Sequence, residues 1–137
     1  MLGGLDVISK TTLLIPFILF TILFDTICIN SLETLKKRSE FLTVRYQGKS
    51  TKSKFFILNY SFDSKINIKF GLTVSKKIGG AVTRNHVKRI IRTIVRNNLT
   101  SIPKGLNFEI IPKKNFVKTT FILLEEDFIH LISKMKI

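Results

Sequence analysis

Between Arg84 and Asn98 the chain reads RNHVKRIIRTIVRNN, a run whose cations fall at a spacing suited to gripping phosphate. If the segment is helical, about 100° per residue from Arg84 places Arg84, Lys88, Arg92, Arg96 and Arg89 between about 0° and 140°, with Asn85 among them. Val87, Ile90, Ile91 and Ile94 then fall between about 240° and 340°, an apolar face built for a core, and only Val95, near about 20°, is out of step. From Lys76 to Arg96 there are seven Lys or Arg and no Asp or Glu. None of the opposite-charge pairs that lace an ordinary exposed helix can therefore form. The Arg84, Lys88, Arg92, Arg96 ladder instead stacks like charges, at about 0.2–0.5 kcal/mol per pair when no anion is present. A plain solvated face would not be left so unbalanced.

Arginine suits such a stripe because its planar guanidinium bridges phosphate oxygens bidentately and stacks on bases, which an ammonium cannot do. Asn85 adds a neutral donor and acceptor for a sugar or base edge. Contacts of this kind position a protein on its nucleic acid and carry little sequence information, so shape should matter more than sequence. Hydrolytic chemistry finds less support. A nuclease acting on its own would need converging carboxylates for metal ions, or a His with a partner. Glu125, Glu126 and Asp127 are consecutive, and on a helix they point about 100° apart, which reads as a solvated face. His86 and His130 lie far apart, and the single cysteine, Cys28, allows neither an intramolecular disulfide nor a Cys-based zinc site. No metal or small-molecule cofactor is expected on the protein, and a reducing cytoplasm fits.

The charge is not spread evenly. Of 23 Lys and Arg and 9 Asp and Glu, for a net charge of +14, residues 1–31 hold one Lys and two Asp, and everything else lies in the remaining 106 residues. A hydrophobic content of 45% with twelve Phe marks that basic part as a folding domain and not a disordered tail. Its electrostatic footprint fits a partner rich in phosphate, with an anionic membrane surface as the other candidate. Thr11–Phe24, TTLLIPFILFTILF, is fourteen residues without a charge. That is short for a membrane-spanning helix, and Pro16 would interrupt one. A membrane anchor or uncleaved signal, a helix docked on the domain, and a start codon placed too far upstream are the three readings. The last is preferred, because interpretable pattern begins near Leu32, giving an apolar extension over 1–31 and one domain over 32–137.

Within that domain, Glu33–Tyr46 fits a short amphipathic helix closed by Gly48. Residues 49–54, KSTKSK, read as a polar, basic connection, and FFILNYS (55–61) as a strand. Asp63–Lys65 suits a turn and Ile66–Ser75 a strand covered on both faces. Gly79-Gly80 leads into a helix over Ala81–Asn97, Leu106–Ile111 forms another strand, and Thr119 or Thr120 could cap a last helix bearing Phe121, Leu124, Phe128, Leu131, Ile132 and Met135. The sum is one α+β sandwich.

Three segments in order, LKKRSEF (35–41), FGLTVSKKIGGAV (70–82) and RNHVKRIIR (84–92), resemble the bacterial ribonuclease P protein family over roughly Leu32–Ile132. The resemblance implies an α-β-β-β-α-β-α domain with a left-handed crossover at its central helix. It also implies an auxiliary subunit that joins a catalytic RNA, the pair removing the 5′ leader of precursor tRNA with magnesium held by the RNA. Carried over by residue, Arg84, Asn85, Lys88, Arg89 and Arg92 match the family's signature helix facing the RNA, Arg96 continues the stripe, and Lys76 and Lys77 match the basic pair before it. Phe41 matches an aromatic position at the cleft for the single-stranded leader, although plain core packing would also suit it. Phe55, Phe56 and Phe70 read in the main as core, since alternation sends neighbours to opposite faces; only one of Phe55 and Phe56 can face that cleft, and Phe56 is taken as the one. His86 departs from the family's usual third basic residue, and Gly80 from a usual Asn at the helix entrance. A general basic RNA-binding or ribosome-associated protein shares every charge feature, and the ordered motifs alone set it aside.

Overall fold

Along Phe56–Phe62 the side chains of Phe56, Leu58 and Tyr60 are buried while those of Ile57, Asn59 and Ser61 are half-exposed, the period-two signature of a strand. Leu106–Pro112 repeats it, with Leu106, Phe108 and Ile110 buried on the same face. The computed structural model of the protein describes residues 32–64 and 67–135. In chain order its elements are β1 (Leu32–Thr34), α1 (Arg38–Gln47), β2 (Lys49–Lys52), β3 (Phe56–Phe62), β4 (Ile68–Leu72), α2 (Ala81–Asn97), β5 (Leu106–Pro112) and α3 (Phe121–Ser133). The strands form one sheet in the order β1-β4-β5-β3-β2. β4 and β5 are adjacent and parallel, with α2 as the crossover between them, and β3 runs antiparallel to both β5 and β2. The readings of residues 1–31, and of Lys65 and Ile66, lie outside the described residues.

Two strands depart from the expectation. Glu33 and Thr34, expected in a helix, pair in parallel with Lys69 and Phe70 as β1. The helix begins only at Arg38, because the Glu40 carboxylate reaches back to the amides of Lys36 and Lys37 at 2.9 and 3.0 Å and fixes the entry there. β2, expected as a loop, carries no apolar pattern of its own. It is an edge strand held by β3, Lys49 opposite Tyr60 and Lys52 opposite Ile57. Gly48 ends α1 without a left-handed turn: its φ is −91°, and a Cβ there would lie 2.3 Å from the carbonyl oxygens of both Tyr60 and Val44. Close approach of β3 is what requires glycine.

The two faces of the sheet differ sharply. On one, Phe56, Leu58, Tyr60, Ile68, Phe70, Leu106, Phe108 and Ile110 pack against Val87, Ile91, Ile94 and Val95 of α2 and Leu124, Phe128, Leu131 and Ile132 of α3, forming the core. The other face carries Asn59, Gly71, Thr73, Asn107 and Glu109 beneath α1, whose Val44 is buried there. Glu109 is fully buried. Its carboxylate accepts from Arg45 Nε at 2.7 Å and Nη2 at 2.5 Å, from Asn59 Nδ2 at 3.2 Å, and from the Thr73 hydroxyl. Burial pushes its pKa up, but the hydrogen bonds from Arg45, Thr73 and Asn59 outweigh burial and hold it below the ordinary carboxylate range.

Arg45, with 40% of its side chain exposed against none for Glu109, can be solvated if its partner is lost; Glu109 cannot. Arg45→Ala should therefore cost about 3–5 kcal/mol by stranding a buried carboxylate, and Glu109→Gln only about 1–3 kcal/mol. Because the folded pKa is depressed, the wild-type contribution is complete above the unfolded carboxyl range and disappears as pH falls through the lowered value. Urea denaturation of both variants between neutral pH and about pH 3 checks this; equal losses, or a Glu109→Gln protein with the wild-type acid dependence, would contradict the assignment.

Candidate nucleic-acid interface

The entry to α2 is set by backbone chemistry. Ser75 accepts from the Lys77 amide at 3.3 Å and caps the turn Lys76–Ile78, and Gly79 adopts φ +152°, a conformation that side chains resist. Gly80 follows as N-cap with no side-chain bond. Nothing lies within 4 Å of a Cβ built there, so the glycine meets no steric demand. Helix bounds agree with the expected Ala81–Asn97. The buried arc is rotated by one position: Val95, expected out of step, is fully buried, while Ile90 is only half-buried. α3 meets the C-terminal end of α2, where Asn98 Nδ2 donates to Glu125 at 2.9 Å, and this second neighbour draws Val95 into the core.

Opposite that arc lie the expected cations. Asn85, Arg89, Arg92 and Arg96 are exposed, Arg84 and Lys88 are half-buried, and Lys76 and Lys77 are exposed in the preceding turn. Among the described residues none of these cations forms an ion pair; the three ion pairs found involve Arg45 and Lys69. Arg84 Nε is buried without an acceptor in the same set. Among the described residues the stripe is thus left without a counter-charge, in keeping with its acid-free local sequence.

Two of these cations share a cleft with an aromatic ring. A cavity of about 170 Å³ is lined by Thr34, Leu35, Phe41, Phe70, Gly71, Leu72, Lys88 and Arg92. Phe41, half-buried, rests on β4 where Gly71 leaves room; a Cβ on Gly71 would lie 2.4 Å from the Phe41 ring. Phe56 does not join it. That residue has no exposed surface and packs edge-to-face on Phe116 and Phe128, at 5.5 and 6.2 Å between ring centroids, on the core face of the sheet. The strand starts one residue later than Phe55, and its alternation sends Phe56 inward, which corrects the expectation that Phe56 lines the cleft. Phe55 is buried as well.

Glu125, Glu126 and Asp127 do not converge, yet two of them are more than a solvated face. Glu125 holds Asn98, and Asp127 Oδ2 accepts from Ser53 Oγ at 2.6 Å and the Phe55 amide at 3.1 Å. Among the described residues no three His, Cys, Asp or Glu side chains assemble as a metal site, and no helix is long and apolar enough to cross a membrane. The sequence reading missed the Arg45–Glu109 pair beside the cleft. Its only signal was a lone Glu within an apolar strand, LNFEIIP.

The family model for ribonuclease P matches residues 29–136. A ribonuclease P protein component of Bacillus cereus is 39% identical over 102 residues, covering 73% of this chain and 88% of that protein. Among solved structures, the ribonuclease P protein of Thermotoga maritima superposes with a TM-score of 0.70 at 30% identity, over 76% of this chain and 98% of that one. The Staphylococcus aureus protein, at 24% identity and a TM-score of 0.67 over 73% of this chain and 92% of that one, shares the fold.

If the Phe41 ring is seated on Gly71, then Gly71→Ala must displace it. A loss of about 1–3 kcal/mol is expected from the overpacking, together with shifted Phe41 ring resonances in NMR spectra. An unchanged melting temperature with unmoved ring resonances would place Phe41 elsewhere.

Proposed function

The chain belongs to the ribonuclease P protein family, and from that membership we propose that α2 docks on the catalytic RNA while the Phe41 cleft holds the single-stranded 5′ leader of precursor tRNA. As a ribonuclease P protein component it is an RNA-binding subunit serving tRNA 5′ maturation. The observation that carries the docking is the unneutralised stripe of Arg84, Lys88, Arg89, Arg92 and Arg96, with Lys76 and Lys77 at its head. Bound phosphates supply counter-charges that the described residues do not. Asn85, exposed between the cations, can reach a sugar or base edge. Since residues 64–108 contain no carboxylate, α2 and the turn before it offer none to a divalent cation, which favours magnesium and bond cleavage belonging to the RNA. The protein's part is then to neutralise charge and to position substrate.

In the cleft, Phe41 offers a ring for base stacking, worth about 1–3 kcal/mol per base and tolerant of sequence. Lys88 and Arg92 line the same cavity and can meet the phosphates that flank the stacked base. A site of this composition accepts many leaders, as a processing factor for a whole set of tRNA precursors must. As a subunit acting on precursor tRNA, the protein would work in the cytoplasm.

The experiment is leader removal at low magnesium by catalytic RNA with and without the purified chain. Addition of the protein should restore cleavage, and Phe41→Ala should weaken binding of precursors with a leader about 5- to 150-fold, the equivalent of one lost stacked base, while leaving mature tRNA unaffected. No gain over RNA alone would leave only a general RNA-binding role. Arg89→Ala and Arg92→Ala should each reduce the salt dependence of RNA affinity by about one unit of slope. An unchanged slope would remove the stripe from the contact surface.

A further inference from the structure

Lysines from three distant stretches of the chain meet at one end of the fold. Lys52 and Lys54 flank Ser53 in the turn between β2 and β3, Lys113, Lys114 and Lys118 lie on the chain leaving β5, and Lys76 and Lys77 precede α2. Hydrogen bonds join the first two groups: the Lys113 amide donates to Phe55 O at 2.8 Å and Lys113 Nζ to Ser53 O at 2.5 Å. The third joins where the turn Lys76–Ile78 packs on Lys114–Lys118. Asp127 is bonded into this end through the turn, its Oδ2 accepting from Ser53 Oγ at 2.6 Å and from the Phe55 amide at 3.1 Å. The turn is closed further by Ser53 N to Phe56 O at 2.9 Å and Phe56 N to Ser53 Oγ at 3.2 Å. Lys54 Nζ lies 5.4 Å over the Phe55 ring, which restrains its stem. Lys52 and Lys54 are exposed.

Lysine at an edge hairpin often serves only to stop the strand from pairing with another chain. That role needs charge and no rigidity. Here two side chains from other elements, Asp127 and Lys113, immobilise the turn that presents the lysines, which reduces the ordering entropy left to be lost on binding. The patch is also all lysine, where α2 is mostly arginine. Compact ammonium groups meet phosphate as point charges, without a bidentate demand, and so suit a backbone contact that ignores sequence.

We propose that the β2–β3 turn, Lys52 and Lys54 with Lys114 and Lys118 beside it, is a second phosphate-contact surface that continues the α2 interface along the same catalytic RNA. The assignment rests on the reading of α2 as the RNA-docking helix, because the Lys76–Ile78 turn is what makes the two surfaces continuous. Lys52 and Lys54 touch the RNA; Asp127 and Lys113 are positioning residues.

The test is the affinity of the full chain for catalytic RNA alone across a salt series. Lys52→Ala/Lys54→Ala should lower the salt slope by about two units, close to 0.9 per phosphate released, with an unchanged melting temperature because both side chains are exposed. Asp127→Asn keeps both charges, so its slope should match wild type while the folded protein binds severalfold more weakly; lost thermal stability with unchanged affinity would reduce Asp127 to a structural role and overturn the preorganisation. If the double variant binds with wild-type affinity and slope while Arg89→Ala/Arg92→Ala loses both, the second surface is refuted and the α2 reading stands. If neither variant changes binding, the α2 reading itself falls. A loss seen only with precursor tRNA, and not with catalytic RNA, would refute the partner assigned here.

Discussion

Burial of Val87, Ile91, Ile94 and Val95 against the sheet is the constraint on which the remaining structure depends. Each such side chain contributes about 1.5–3 kcal/mol when removed from water, whereas each like-charge contact in the opposite ladder costs a few tenths. The apolar arc therefore fixes the rotation of α2 about its axis, and the cations are carried outward as a consequence. No carboxylate between residues 64 and 108 is available to quench them. The helix thus has a face that stabilises the fold and an opposite, cationic face whose like-charge strain no ion pair among the described residues relieves.

The sheet gives that helix its counterpart. Its core face is apolar apart from the Tyr60 hydroxyl, while its other face is organised around the buried Glu109 carboxylate, which Arg45 of α1 and Asn59 and Thr73 of the sheet satisfy together. Gly71 lies opposite Glu109 in the register and, having no side chain, admits the Phe41 ring one helical turn before Arg45. An ion pair and a missing Cβ together hold α1 so that an aromatic ring stands beside Lys88 and Arg92. Stacking and charge are thereby brought into one cleft from elements far apart in sequence.

What could be read in advance follows physical lines. The bounds of α2 were legible because period, Gly79-Gly80 and absence of acids agree, and β3 and β5 because their apolar runs are bounded by turns. β1 and β2 were not, since short polar edge strands take their pairing from β4 and β3 and carry no pattern of their own. Alternation showed that Phe55 and Phe56 could not both face the cleft, but it could not tell which face α2 and α3 would cover; Phe56 proved to be core. Arg45 and Glu109 are 64 residues apart, a separation at which spacing has no diagnostic value. Asp127 likewise appeared solvated until the turn at Ser53 was seen to lie against it.

The central claim is that the outward cations of α2 are neutralised by RNA and not by the protein. Arginine modification by phenylglyoxal, read residue by residue by mass spectrometry with and without catalytic RNA, tests it without altering the chain. Arg89, Arg92 and Arg96 should react freely in the isolated protein and become protected in the complex, while Arg45, already engaged by Glu109, should react slowly in both. Equal reactivity of the α2 arginines with and without RNA would contradict the account.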